Sequence, residues 1–159
     1  MNTQKIYAHY GHKKFNPDYF KPITNIPMCN KPDGGLWASP NNSGRSWLNW
    51  LEENGYLIDP TEFFLFTLSD SAKVYHIYTR ADVEALPRQQ LPEPYHSILK
   101  DSIFPDFEAL LNSGYDAIEF HLSEEPKADK GIGFGLYFSL YGWDCDSLLV
   151  LNPQKIILL

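Results

Sequence analysis

Asp144-Cys145-Asp146-Ser147-Leu148-Leu149-Val150-Leu151-Asn152-Pro153 is the stretch on which the fold turns. Its four consecutive aliphatic residues are too few for an ordinary helix and are stopped by Asn and Pro, so residues 146–151 read as a buried strand. Strand patterns lie on both sides of it. Residues 136–141 (Leu-Tyr-Phe-Ser-Leu-Tyr) and 155–158 are two of them, and residues 115–122 alternate Ala117, Glu119 and His121 against Ile118, Phe120 and Leu122. Between the first two patterns and the third run a polar loop over 123–130 and the glycines of Gly131-Ile132-Gly133-Phe134-Gly135. A dinucleotide-binding fingerprint needs a strand before it and a helix after it, so those glycines read as a loop into a strand.

Moving toward the N-terminus, residues 105–111 read as a helix with proline at its start and Gly114 just past its end. Residues 87–94 are a loop, and Thr79-Arg80-Ala81-Asp82 looks like the cap of a short helix. Two β-rich runs, 63–68 and 72–79, flank the turn Ser69-Asp70-Ser71. Residues 5–10 form a strand closing at Gly11, and residues 35–39 a second one stopped by Pro40. The polar stretch 12–34 between them carries four prolines; a loop of that length in a small domain is expected to be functional or mobile. Ser43 or Ser46 caps a helix whose Trp47, Leu48, Trp50 and Leu51 share one buried face, ending at Gly55. Strands outnumber helices and do not alternate with them regularly, which makes the class α+β.

The 159 residues, 43% apolar and 21% charged, suit one soluble domain spanning 1–159 with no internal repeat. No run of apolar residues is long enough to cross a bilayer, and the start lacks the apolar stretch of a secretory signal, so a cytoplasmic protein is expected. Cys29 and Cys145 are far apart and in no metal-like spacing, and read as free thiols. The net charge of −7 argues against a general nucleic-acid or membrane-surface binder. Charge is nevertheless uneven: residues 1–51 hold six basic and two acidic side chains. That excess is either a chance of the solvated surface or an anion site.

Among candidate chemistries, His9, His12, His76, His96 and His121 are scattered without a helical ligand pair, so no metal site is expected. No Gly-x-Ser-x-Gly elbow is present, and two flanking aspartates disfavour a Cys145 thiolate. Asp144 and Asp146 are two apart, and on a strand residues i and i+2 share a face. Both carboxylates can therefore point into one cleft, where crowding tunes them for acid, base or electrostatic work.

Three blocks, in order, resemble the ADP-ribosyltransferase family in its poly(ADP-ribose) polymerase and diphtheria-toxin-like branch. They are Tyr7-Ala8-His9-Tyr10-Gly11, Gly34-Gly35-Leu36-Trp37-Ala38-Ser39-Pro40 with the following Asn41 to Trp50, and the Asp144 to Pro153 stretch. The resemblance covers about residues 5–51 and 115–158. It implies split β-sheets around a cleft with a few flanking helices, with residues 7–10 and 146–151 as neighbouring central strands. It also implies NAD as substrate. In that family's pattern His9 or Tyr10 faces a ribose beside Gly11, Ser39 and Ser46 lie near the nicotinamide, and Trp37 with Trp47 or Trp50 offers an aromatic ring. Asp146 stands where the catalytic acid is expected, with Asp144 assisting, and Lys31 and Arg45 are placed to hold the pyrophosphate. Three departures stand out: Tyr10 follows His9 where glycine is usual, Trp replaces a common Tyr, and Asp replaces Glu.

The resemblance further implies transfer of ADP-ribose to a protein or nucleic-acid acceptor, a bacterial or phage toxin or effector role, and an inhibitor or antitoxin partner. Two other readings compete with it. One is an inactive NAD- or partner-binding module of the same fold; the other is a carbohydrate-binding or carbohydrate-active protein, since Trp, Tyr and paired acids also describe sugar sites.

Overall fold

Residues 147–150 are buried along their whole length because they lie inside a sheet covered on both faces. The computed structural model describes residues 4–123, 140 and 142–159. The glycine-rich stretch, the loop 124–130 and, apart from Leu140, the strand expected over 136–141 lie outside them. Among the described residues seven strands form one sheet: β1 (Tyr7–Tyr10), β2 (Leu36–Pro40), β3 (Phe63–Leu68), β4 (Val74–Ile77), β5 (Ala117–Phe120), β6 (Ser147–Val150) and β7 (Ile156–Leu158). Their spatial order is β4-β5-β6-β2-β1-β3-β7. All neighbours are antiparallel except β4 and β5, which run parallel.

This order corrects one expectation. Residues 7–10 and 146–151 are not neighbours, because β2 lies between them. The five residues of β2 serve two partners: Leu36, Trp37 and Ala38 pair with Val150, Leu149 and Leu148 of β6, while Ser39 and Pro40 pair with Ala8 and Tyr7 of β1. The hydrogen-bonded order is thus continuous rather than two separate sheets, yet β1 and β2 part beyond Ala8 and Ser39.

The helices among the described residues are short, and three of the four are explained by their caps. In α1 (Trp47–Glu53) Ser46 and Asn49 form a reciprocal capping box, and in α2 (Arg80–Glu84) Thr79 and Asp82 do the same. Further on, α3 (Tyr95–Ile98) is a single turn, and α4 (Phe107–Asn112) is capped by Asp106, whose side chain accepts from the Ala109 N–H. Gly114 follows α4 with a φ of 87°, the left-handed geometry that ends a helix without strain on a Cβ.

One side of the sheet packs Ile118, Phe120 and Leu149 against Val83 of α2, Phe107 and Leu110 of α4, and Trp143. The other side packs Ala117, Leu148 and Val150 with Tyr7, Phe64, Phe66 and Leu68. The stretch 12–34 is pinned rather than structureless. Thr24 and Asp33 exchange backbone hydrogen bonds of 3.0 and 2.9 Å, and the Asn25 side chain accepts from the Phe107 N–H and donates to Asp106, tying the loop to α4. Both cysteines are free thiols. No helix of the described residues is long and apolar enough to cross a membrane.

The N-terminal excess of positive charge is partly used inside the fold. Lys5 pairs with Glu119 at 2.7 Å, and Lys13 with Glu62 at 3.0 Å.

Candidate functional site

Where β1 and β2 part, the backbone ladder is replaced by a side chain. His9 Nδ1 lies 2.7 Å from the Trp37 carbonyl oxygen. A carbonyl only accepts, so Nδ1 carries the proton and Nε2 keeps its lone pair, 3.1 Å from His12 Nδ1. Burial is the main cause holding the His9 pKa below the usual imidazole value, against the raising effect of the Trp37 carbonyl. The ring is therefore held neutral. His9 also packs on Phe64, with ring centroids 5.0 Å apart, which fixes its plane.

A cavity of about 290 Å³ opens beside this joint. His9, Tyr10, Lys31, Trp37, Ser39 and Trp47 all line it, together with Ala8, Ala38, Gly142, Cys145 and Ser147. Its walls are mostly aromatic and aliphatic, with Lys31 as the cation: the ammonium lies 5.5 Å from the centre of the Trp37 ring. A smaller cavity of about 140 Å³ shares His9 and Trp37 and adds His12, Lys14, Phe15 and Tyr19. His9 and Trp37 therefore form the partition between two hollows.

Six of the ten residues expected to bind cofactor thus meet at one cavity, and the other four do different work. The Ser46 side chain caps α1. Ser39, although at the cavity, accepts from the Trp47 N–H at 2.8 Å and so anchors the start of the same helix. Trp50 stacks face to face on Trp47, centroids 5.0 Å apart, with Tyr56 on its other side, and holds the Trp47 ring from behind. Gly11 closes β1, donating its N–H to the Glu62 carbonyl at 2.7 Å with a φ of 110°. Arg45 is exposed; its carbonyl accepts from the Asp146 N–H, and its side chain does not line the cavity.

Neither aspartate lines the cavity. Cys145, in the bend before β6, and Ser147, at the start of β6, line it instead. Asp146 is 4% exposed and its carboxylate is already occupied: Ser43 Oγ donates to it at 2.5 Å, and Ser123 donates through both its backbone N–H at 2.8 Å and its hydroxyl at 2.5 Å. Those bonds tie the turn before α1 to the end of β5. Asp144 is partly exposed beside the buried Trp143. Cys145 has its thiol pKa pushed up first by burial, and to a smaller extent by Asp146 and Asp144, while hydrogen bonds from Ser147 and Ser39 oppose this. Its thiol form is favoured.

Two features escaped the sequence. The partition of the cleft by His9 and Trp37 depends on β2 changing partners, and nothing local marks that change. The parallel register of β4 and β5 sets His76 opposite Glu119, two residues before His121; pairing partners so distant in the chain leave no local pattern.

No protein-family model, curated protein or solved structure matches the chain.

Proposed function

We propose that this chain is an ADP-ribosyltransferase-like protein that binds NAD in the cleft between β1 and β2. On this reading it transfers ADP-ribose to a macromolecular acceptor in the cytoplasm. The observation that carries the reading is the pair of aromatic-walled hollows sharing His9 and Trp37 as their partition. NAD has two flat ring systems joined by a charged pyrophosphate, and two such hollows with lysines beside them suit that shape.

In this reading Trp47 stacks on the cationic nicotinamide ring, its own ring braced by Trp50. The Lys31 ammonium meets the pyrophosphate as a point charge. Neutral His9 keeps Nδ1–H on the Trp37 carbonyl and accepts a ribose hydroxyl at Nε2, displacing His12. Cleavage of the nicotinamide–ribose bond passes through an oxocarbenium-like state that a carboxylate stabilises.

A second reading, an NAD-binding module without transfer activity, is favoured by one observation: among the described residues no Asp or Glu lines the cleft. Such a module would act by holding NAD or a protein partner.

Calorimetric titration with NAD, followed by incubation of the protein with labelled NAD and a cell lysate, separates the readings. Binding with label transferred to protein or nucleic acid supports the enzyme. Binding without transfer or NAD cleavage selects the module. No binding up to about 1 mM, the upper end of ordinary substrate affinities, overturns both.

A further inference from the structure

A cavity of about 390 Å³ shares no lining residue with the NAD cleft. At its wall three side chains from β4, β5 and the residue after β5 converge. His76 Nδ1 and His121 Nε2 are 2.9 Å apart, and they lie 3.5 and 3.7 Å from Glu119 Oε2. Only the first of these separations is a hydrogen bond; the two to the carboxylate are too long for one. Donor atoms bound to zinc at about 2.0–2.1 Å in a tetrahedral shell lie about 3.4 Å from each other. The three observed separations bracket that value, so a single ion can touch all three atoms with small adjustments.

We propose that His76, Glu119 and His121 form a binding site for a divalent transition-metal ion of the zinc type. Two imidazoles and one carboxylate are a borderline nitrogen and oxygen set, suited to zinc and its neighbours and poorly suited to magnesium or calcium. Binding replaces the hydrogen bond between the two rings: the donor ring adopts its other tautomer, its proton moving to the second ring nitrogen, so that both facing nitrogens present lone pairs to the ion.

The surroundings are built for holding these groups. Glu119 is 1% exposed, and Tyr7 donates its hydroxyl to Oε2 at 3.2 Å, the oxygen that faces the histidines. The other oxygen, Oε1, is 2.7 Å from the Lys5 ammonium. The Tyr78 ring lies parallel to His121, centroids 4.0 Å apart, and fixes that imidazole's plane. Such outer partners orient metal ligands. The side chain of His76 is 45% exposed and gives the ion a path from solvent, while the cavity leaves room for a fourth ligand such as water. Three protein ligands with one open position are the arrangement of reactive rather than purely structural zinc sites. Lys5 opposes the ion by its charge and tunes affinity downward.

The test uses the untagged full chain, stripped with a chelator and titrated with zinc by calorimetry and with cobalt(II) by visible absorption. The expected result is one ion per chain and the intense visible bands of a four-coordinate cobalt site. His76→Ala removes a half-exposed ligand with little loss of packing and should weaken zinc binding by about 100-fold or more, beyond the effect of losing an outer partner. Tyr7→Phe should weaken it by about 10–100-fold. Lys5→Met, which removes the opposing charge, should tighten it by about 3–10-fold. Absence of zinc uptake up to about 100 μM, or uptake undiminished in a folded His76→Ala variant, overturns the site and leaves a hydrogen-bonded cluster.

Discussion

His9 and Trp37 are joined across the gap between β1 and β2 by a ring nitrogen 2.7 Å from a carbonyl oxygen, at the place where two strands stop sharing a ladder. The bond satisfies a backbone acceptor that the parting strands would otherwise leave unpaired, and it fixes which nitrogen of the ring faces the cleft. The cleft exists because a side chain closes the gap that the backbone leaves.

The neutral state of that ring makes the stability of the fold depend on pH. The His9 pKa is lowered in the folded chain, chiefly by burial, so the unfolded chain takes up this proton at higher pH than the folded one. Its contribution to stability is complete above the ordinary imidazole value of about 6.5 and is lost as pH falls through the lower folded value. Melting curves of wild type and His9→Gln between pH 7.5 and 5 should therefore show the wild type losing more stability on acidification. Parallel pH dependences would show that this ring is not held neutral.

Trp47 and Trp50 stack on each other, yet only Trp47 reaches the cavity. Trp47→Ala should lower NAD affinity by about 1–3 kcal/mol, the scale of a base stacked on an aromatic side chain. Trp50→Ala should have a clearly smaller effect, since it acts through its neighbour. Calorimetry on the two variants checks the order.

For Asp146→Asn the expected loss is first one of stability. Hydrogen bonds to a buried charged acceptor contribute about 1.5–3 kcal/mol each, and the amide keeps only part of them. A melting temperature lowered by several degrees is expected, with NAD binding weakened in step because Ser43 belongs to the turn that leads into α1. A turnover reduced about 10²–10³-fold at unchanged melting temperature and NAD affinity would instead assign Asp146 to the reacting atoms.

Iodoacetamide at pH 8 should modify Cys29 in the native chain and spare Cys145. Cys145 is 3% exposed, with burial holding its thiol protonated, whereas Cys29 is partly exposed. Peptide mass mapping before and after denaturation reads the difference, and equal native labelling would contradict the packing around Cys145.

Gly34 leads into β2 with a φ of 82°, and a Cβ there would fall on the Pro22 carbonyl oxygen. Gly34→Ala should cost about 2–4 kcal/mol from the left-handed backbone and the forced shift together. Gly44, with open space around its Cβ position, serves as the comparison: Gly44→Ala should stay within about 0.5 kcal/mol. Urea unfolding of both variants measures the contrast.

Local signals in the sequence carried the strands and the caps. The pattern around residues 7–10 and the stop at Pro40 are physical effects of a few adjacent residues, as are the capping boxes at Ser46 and Thr79. The face presented by Asp146 was not legible. Alternation distinguishes faces only when one of them is polar, and β6 is buried on both sides, so Leu148 and Leu149 look alike. The shared face expected for Asp144 and Asp146 presumed a strand, whereas β6 begins only at Ser147, and which face of it met the cleft depended on Trp37 and Leu149 lying across from each other. The His76, Glu119 and His121 cluster was hidden for a related reason: a parallel pairing has no tight turn to announce its register.

The pairing of Leu36 with Val150 has a consequence for the birth of the protein. Ribosomes add about 5–20 residues per second, so the stretch of about 110 residues between these partners takes about 5–20 s to make. For that interval β2 waits with one side unmatched, its Leu36 and Trp37 without the aliphatic strand that will shield them. Holding this segment soluble until β6 emerges is a task for chaperones during translation, and slowing synthesis after residue 40 prolongs the most aggregation-prone moment of the chain.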